Sequence, residues 1–199
     1  MKKEINEHIY VGELNTLIVN RVSEPGIYLI SDDQTEVLLP NAYVTKSMEI
    51  GGSLDVFIYT DSEDRLVATT LKPYLYLNQF ANLKIVDSAK FGYFVDIGLA
   101  KDLLVPKNRQ KGSFTVGSYK VLQMQFDERT SRLIASEKYI LDSEPKNLKQ
   151  NDEVEIILYS KTPLGYKVIV NNLYEGMIFH SEVFVNLKIG DKKRAYVKK

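Results

Sequence analysis

Two histidines, His8 and His180, and no cysteine supply all the imidazole and thiol chemistry of this 199-residue chain. A thiolate nucleophile, a disulfide framework and a cysteine metal site are excluded, and a multi-histidine metal site lacks donors. His180-Ser181-Glu182 spells the letters of a catalytic triad. Residues adjacent in sequence rarely converge in that geometry, and Ser181-Glu182 reads better as the start of a short helix. His8 sits in a polar segment and reads as a surface side chain. Gly51-Gly52-Ser53 is too short and wrongly flanked for a phosphate loop. No catalytic constellation, metal or cofactor is expected, which points to a binding protein and not an enzyme.

The residues that could do chemistry are aromatic and basic. Phe91 and Phe94 flank Gly92, and Lys107, Arg109 and Lys111 follow closely. An outward aromatic pair is a platform on which bases stack, and nearby cations can track phosphates. The competing reading places both rings in the core or in an inter-domain contact.

The elements that must position these residues repeat. Gly26, Gly92 and Gly165 each open an apolar alternating run, and Gly51, Gly117 and Gly190 each follow a branched aliphatic residue. Pro40 and Pro106 follow Leu39 and Val105. The offsets are 66 from the first copy to the second and 73 from the second to the third. Matching collinear offsets imply a triplication. Each copy alternates with period two, as in Tyr93, Val95 and Ile97 against Phe94 and Asp96, or Leu54, Val56 and Ile58 against Asp55 and Phe57. This puts Tyr93, Val95 and Ile97 inside and Phe94 and Asp96 outside. Turn signals fall at Asp61–Asp64, Asp127–Ser131 and Lys161–Pro163. About five short strands per copy suit a small closed barrel, since a flat sheet of that size exposes two edges. The fold class is therefore all-β: three tandem five-stranded OB-fold barrels with short helical connections, an SH3-like barrel being the competitor. The expected domains are 1–73, 74–142 and 143–199.

Charge is uneven beneath a net of zero. Residues 1–75 carry −6, while 76–142 and 143–199 carry +3 each. A polyanion would favour the latter two, although +3 is also an ordinary solvated surface. No apolar run reaches the roughly 20 residues of a membrane span. The segment Met1–Tyr10, in which Lys2 and Lys3 precede Glu4, Asn6 and Glu7, lacks the pattern of a signal peptide. The expected location is the cytoplasm, with no membrane partner.

The run Lys84–Gly98, with Val116–Asp127 and Arg132–Ser136, resembles the ribosomal S1 RNA-binding domain over nearly all of residues 80–136. The order of three repeats, including Lys101–Pro106 and Gly165–Asn172, is similar to the bacterial conserved virulence factor B family, whose members carry three such domains followed by a winged helix. The resemblance implies single-stranded RNA as the partner and regulation of gene expression as the role. It also implies that Asp127 and Arg132 stand where the family places an Asp and an Arg beside the aromatic pair, with one extra residue between them. The family's third-strand histidine falls at Pro106, a departure that removes a donor and a ring. A turn with a surface ion pair explains Asp127 and Arg132 nearly as well.

The outer copies differ. Pro25 and Tyr28 replace Phe91 and Phe94 in the first, whose negative charge suits a spacer or a protein-contact module. Leu164 and Lys167 replace them in the third, which closes on Lys192-Lys193-Arg194 and ends at Lys199. That basic stretch could grip a backbone, or be an edge strand protected by lysines. The closing strand of the third copy would fall near position 205, so its barrel is expected to be incomplete, with Ala195–Lys199 mobile or in contact with another protein or chain. The alternatives to RNA are a protein–protein module and a single-stranded DNA binder.

Overall fold

In the computed structural model, which describes residues 4–198, long alternating runs become strands and the turn signals fall between them. Among the described residues the chain is all-β, broken by three 3-10 helices of three residues each. The first sheet holds β1 (Leu14–Ser23), β2 (Gly26–Ile30), β3 (Glu36–Pro40), β4 (Ser53–Thr60) and β5 (Leu66–Thr69), closed into a barrel in the order β1-β2-β3-β5-β4. The second holds β6 (Phe80–Ala89), β7 (Gly92–Val95), β8 (Leu103–Pro106), β9 (Tyr119–Asp127) and β10 (Arg132–Ser136), in the order β10-β9-β6-β7-β8. The third holds β11 (Glu153–Lys161), β12 (Gly165–Val170), β13 (Tyr174–Phe179) and β14 (Lys192–Tyr196), in the order β13-β12-β11-β14.

One hydrogen-bonded device recurs in all three sheets. The first strand of each is long and shifts register, after Val19, Ile85 and Leu158 respectively. Such a shift coils a strand so that it can pair with two neighbours; β1 pairs with both β2 and β4. At each shift the carbonyl accepts the N–H of a glycine at positive φ: Gly51 to Val19 at 2.8 Å, Gly117 to Ile85 at 2.7 Å, Gly190 to Leu158 at 2.7 Å. The glycines at the head of the second strand have a different cause. A Cβ on Gly26 would stand 2.1 Å from the Leu39 carbonyl oxygen, and one on Gly165 would stand 2.0 Å from that of Ile178. Only hydrogen fits there, because the third strand passes directly over the Cα.

The barrel interior follows the alternation. Leu17, Val19, Ile27, Leu29, Val37, Leu39, Val56 and Ile58 form one buried cluster. The outward side of β4 departs from the expected alternation: Phe57 is buried too, against the rings of Tyr59 and Tyr76 at 6.2 and 5.8 Å. A strand covered on both faces loses its period-two signature.

The chain divides into two compact units that do not follow the three sheets. One is Met1–Leu77 with Asp96–Leu104 and Met124–Ile134; the other is Asn78–Val95 with Val105–Gln123 and Ala135–Lys199. Within the former, Lys101 donates to the carbonyls of Thr60 and Asp61 at 2.9 and 2.5 Å. Its burial there lowers its pKa from the ordinary lysine value. Within the latter, Phe80, Val121, Ile157 and Ile169 form a buried cluster flanked by Tyr139, Leu141 and Tyr159. The N–H of Phe80 donates to Asn172 Oδ1 at 2.9 Å. No helix among the described residues is long and apolar enough to cross a membrane.

Ala195 and Tyr196, expected to be mobile or in contact with another chain, are held in a strand within the chain. They pair with Val154 and Glu153 because β11 is long enough to hold β14 along its length. Lys199, like Met1, Lys2 and Lys3, lies outside the described residues.

Candidate nucleic-acid interface

Lys90 and Phe91 make the turn from β6 into β7, which Gly92 opens, and Phe91 stands at the corner, 59% exposed. Phe94, three residues on, is half-buried. The rings meet edge to face, centroids 6.0 Å apart at 87°. Phe91 thus stands largely in solvent while packing edge-to-face on the half-buried Phe94. Tyr93 points the other way but is only half-buried, packed on Phe114 at 5.4 Å.

The cations are placed by the 3-10 helix Lys107–Arg109, which follows Pro106. Proline presets the extended backbone from which the chain enters this helix. The N–H of Lys107 donates to the Phe91 carbonyl at 3.1 Å, so the helix begins on the backbone of the exposed ring. Lys107 is exposed and Arg109 half-exposed. Glu137 ties the next segment down: its N–H donates to the Arg109 carbonyl at 2.9 Å, and its carboxylate accepts the Lys111 N–H at 2.7 Å. Lys111 then holds its ammonium 5.0 Å from the Tyr139 ring centroid.

Tyr139 was not singled out in the sequence, nor was its neighbour Tyr159, 6.3 Å away and edge-on. Burial pushes Tyr139 up to about 12. Tyr159 is raised by burial and by donating to Glu175 at 2.6 Å. Glu175 also takes Lys167 at 2.9 Å, and these two bonds hold its carboxyl below the usual range. Lys167 is therefore an ion-paired residue on the surface of β12. A third missed residue is Phe179, 48% exposed at the end of β13. Adding the offset of 73 to Pro106 would have found it.

The remaining expected residues lie in different surroundings. Asp96 lies beyond β7, where its carboxylate accepts the Gly98 N–H at 2.7 Å and shapes a turn. Asp127 accepts from the Thr130 hydroxyl at 2.9 Å, in the turn between β9 and β10. Arg132 forms its ion pair with Asp64, not with Asp127. At the third sheet's edge, Lys192 meets Glu155 at 2.7 Å and Arg194 meets Glu153 at 3.3 Å. The basic stretch is thus largely matched by acids of β11, because a cross-strand neighbour brings opposite charges together. Lys193 faces the other side, at the register of Ile156. In the first sheet Tyr28 is covered by the Arg21 guanidinium at 3.7 Å, itself held by Glu36 at 2.8 Å. The triad letters serve other ends: His180 Nε2 lies 3.1 Å from the Thr162 carbonyl, and Glu182 pairs with Lys198.

Residues 11–71 match the S1 domain family model. The match falls on the first sheet, whereas the resemblance read from sequence rests on residues 80–136. The chain is 35% identical over 95 residues to the uncharacterized protein YitL of Bacillus subtilis (strain 168), covering 47% of this chain and 32% of that protein. It therefore spans about a third of that relative's length. Among solved structures it is similar to a multidomain protein with nucleic acid binding domains from Streptococcus pneumoniae TIGR4, with TM-score 0.57, 20% identity, and coverage of 94% of this chain and 69% of that one. This likeness bears on the fold alone. The Drosophila Unr CSD456 structure aligns at a TM-score of 0.25, too low to bear on either fold or site.

Proposed function

Because residues 11–71 match the S1 domain family model and the strand order recurs in barrel-like sheets, we propose that the protein binds single-stranded RNA through its second sheet and regulates gene expression by holding transcripts. The observation that carries this reading is the exposed Phe91, braced by Phe94 and joined through its own carbonyl to the helix bearing Lys107 and Arg109. A base stacked on Phe91 gains roughly 1–3 kcal/mol. Lys107, Arg109 and Lys111 would meet the adjacent phosphates. Such a surface recognises a strand by its π-faces and charge, so broad sequence tolerance follows. The reading assigns the chain no chemistry of its own, only cytoplasmic binding.

Titration with single-stranded RNA and DNA of equal length at two salt concentrations tests it. Saturable RNA binding that weakens steeply with salt is expected. Equal affinity for DNA would remove RNA specificity and leave a general single-strand binder. No binding to either at low salt would reject the interface.

A further inference from the structure

One side chain on the path away from Phe91 has the wrong sign for a phosphate. Lys111, the last cation of the interface, lies over Tyr139, and Tyr139 meets Tyr159 edge-on. The Tyr159 hydroxyl donates to Glu175 Oε2 at 2.6 Å. All four residues belong to one compact unit, as does Phe91. A carboxylate beside a phosphate track weakens binding unless it has a partner of its own in the ligand.

An acid at this place is a repeated feature of the chain. The offsets carry Glu36 to Asp102 and on to Glu175, so each copy sets a carboxylate at or next to the start of its third strand. The outer copies orient it in the same manner. Glu36 Oε1 accepts from Asn20 at 2.7 Å and from Arg21 Nε at 3.0 Å, and its Oε2 accepts from Arg21 Nη2 at 2.8 Å. Glu175 accepts from Tyr159, which occupies the position of Asn20, and on Oε1 from Lys167 at 2.9 Å. The two differ in what they leave open. Glu36 takes two bonds on one oxygen and one on the other, whereas Glu175 takes a single bond on each, with its side chain 43% exposed. One acceptor site therefore remains on each of two adjacent oxygens. The bonds from Tyr159 and Lys167, with the charges of Lys167 and Lys111 behind them, keep this carboxyl ionised. Met177, two residues along β13 and thus on the same face, offers an exposed thioether on which a ring can lie.

Two parallel acceptors select among the bases. Guanine alone presents two adjacent donors, N1–H and N2–H, on its Watson–Crick edge. Adenine and cytosine set an acceptor nitrogen beside their amino group, and uracil flanks its N3–H with two carbonyls, so each would turn a lone pair toward the carboxylate. We propose that Glu175 reads a guanine of the bound strand through its two open acceptor sites, with Tyr159 and Lys167 as positioning residues. The proposal rests on the RNA-binding reading above and adds one selective position to a platform that otherwise accepts any base.

The test is fluorescence anisotropy on the full chain at low salt. The probes are a labelled ten-nucleotide uridine RNA and the same strand carrying one central guanosine, inosine, adenosine or cytidine. The guanosine strand should bind about tenfold or more tightly than the uridine, adenosine and cytidine strands. Inosine, which lacks the N2 amino group, should fall between guanosine and uridine. In Glu175→Gln the guanosine advantage should vanish, while the uridine strand binds as tightly as before or more tightly. A thermal melt checks that the variant is folded, and the inosine comparison needs no variant. Equal affinity for the guanosine and uridine strands in the wild type would overturn the proposal and leave the RNA-binding reading standing. So would a guanosine advantage that survives Glu175→Gln, or inosine bound as tightly as guanosine. Binding of none of the strands would overturn both.

Discussion

The carbonyl of Phe91 accepts the backbone N–H of Lys107 at 3.1 Å, so the exposed ring and the first cation of the interface share one hydrogen bond. The same bond recurs from Pro25 to Asn41 and from Leu164 to His180. The scaffold is therefore common to all three sheets, and the side chains on it differ. In the second sheet they are an aromatic and a cation; in the first, a proline and an asparagine; in the third, a leucine and a histidine.

Phe91→Ala should weaken single-stranded RNA binding by about 1–3 kcal/mol with little change in melting temperature, because the ring is mostly in water. Phe94→Ala should cost affinity and some stability, since its ring is half-buried. Anisotropy titration beside a thermal melt checks both. A large drop in melting temperature for Phe91→Ala with unchanged affinity would return that ring to a purely structural role.

Alanine at Lys107, Arg109 and Lys111 should flatten the salt dependence of binding, by about 0.7 in log–log slope for each phosphate contact removed. Alanine at Lys192 and Arg194 should change the slope less, because Glu155 and Glu153 already offset those charges. Exposed pairs of this kind contribute only about 0–1 kcal/mol, so neither set should unfold the protein. Equal slopes in the two sets would show that the matched charges of β14 are as available to phosphate as the 3-10 helix.

Much of the fold was legible because the sequence says the same thing three times. The glycine offsets revealed the repeat, and the structure shows that these glycines mark the register shifts and the close strand crossing. Phe91 was legible for the same reason, since it stands beside one of those glycines. Phe57 was not: its outward side is covered by Tyr59 and Tyr76, and alternation cannot report a face buried by a neighbour. The partners of Arg132, Lys192 and Arg194 were also out of reach. They depend on which acid a long flexible side chain finds in space, and residue spacing carries no record of that. Tyr139 and Tyr159 were hidden because their contacts join distant parts of the sequence.

Two kinds of glycine should respond differently to alanine. At Gly26 and Gly165 the new Cβ meets a backbone carbonyl that cannot step aside. Each substitution should destabilise by about 3 kcal/mol or more, since the strand crossing itself must move. At Gly51 and Gly117 nothing lies within 4 Å of the Cβ, and only the positive φ resists. There the cost should be about 1–2 kcal/mol. Urea denaturation of the four variants checks the order, and equal losses would refute the steric account of Gly26 and Gly165.

The pH dependence of the first sheet should carry the signature of one exposed pair. His8 Nδ1 lies 2.8 Å from Asp33 Oδ2, and the Ser31 hydroxyl donates to the other oxygen of Asp33 at 2.6 Å. The hydrogen bond to Asp33 raises His8 above 6.5, and those from Ser31 and His8 hold Asp33 well below 3.8. For His8 the folded value exceeds the unfolded one, so its contribution is fully present below pH 6.5 and is lost as pH rises through the folded value. For Asp33 the sign is opposite: its contribution is present above 3.8 and is lost as pH falls toward the depressed value. The pair should therefore act most strongly between these limits, and the wild type should lose a little melting temperature between pH 6 and pH 8.5. Asp33→Asn should bring the NMR titration of His8 back toward 6.5 and flatten that loss. An unshifted His8 titration in the wild type would mean that water, not Asp33, is its partner in solution.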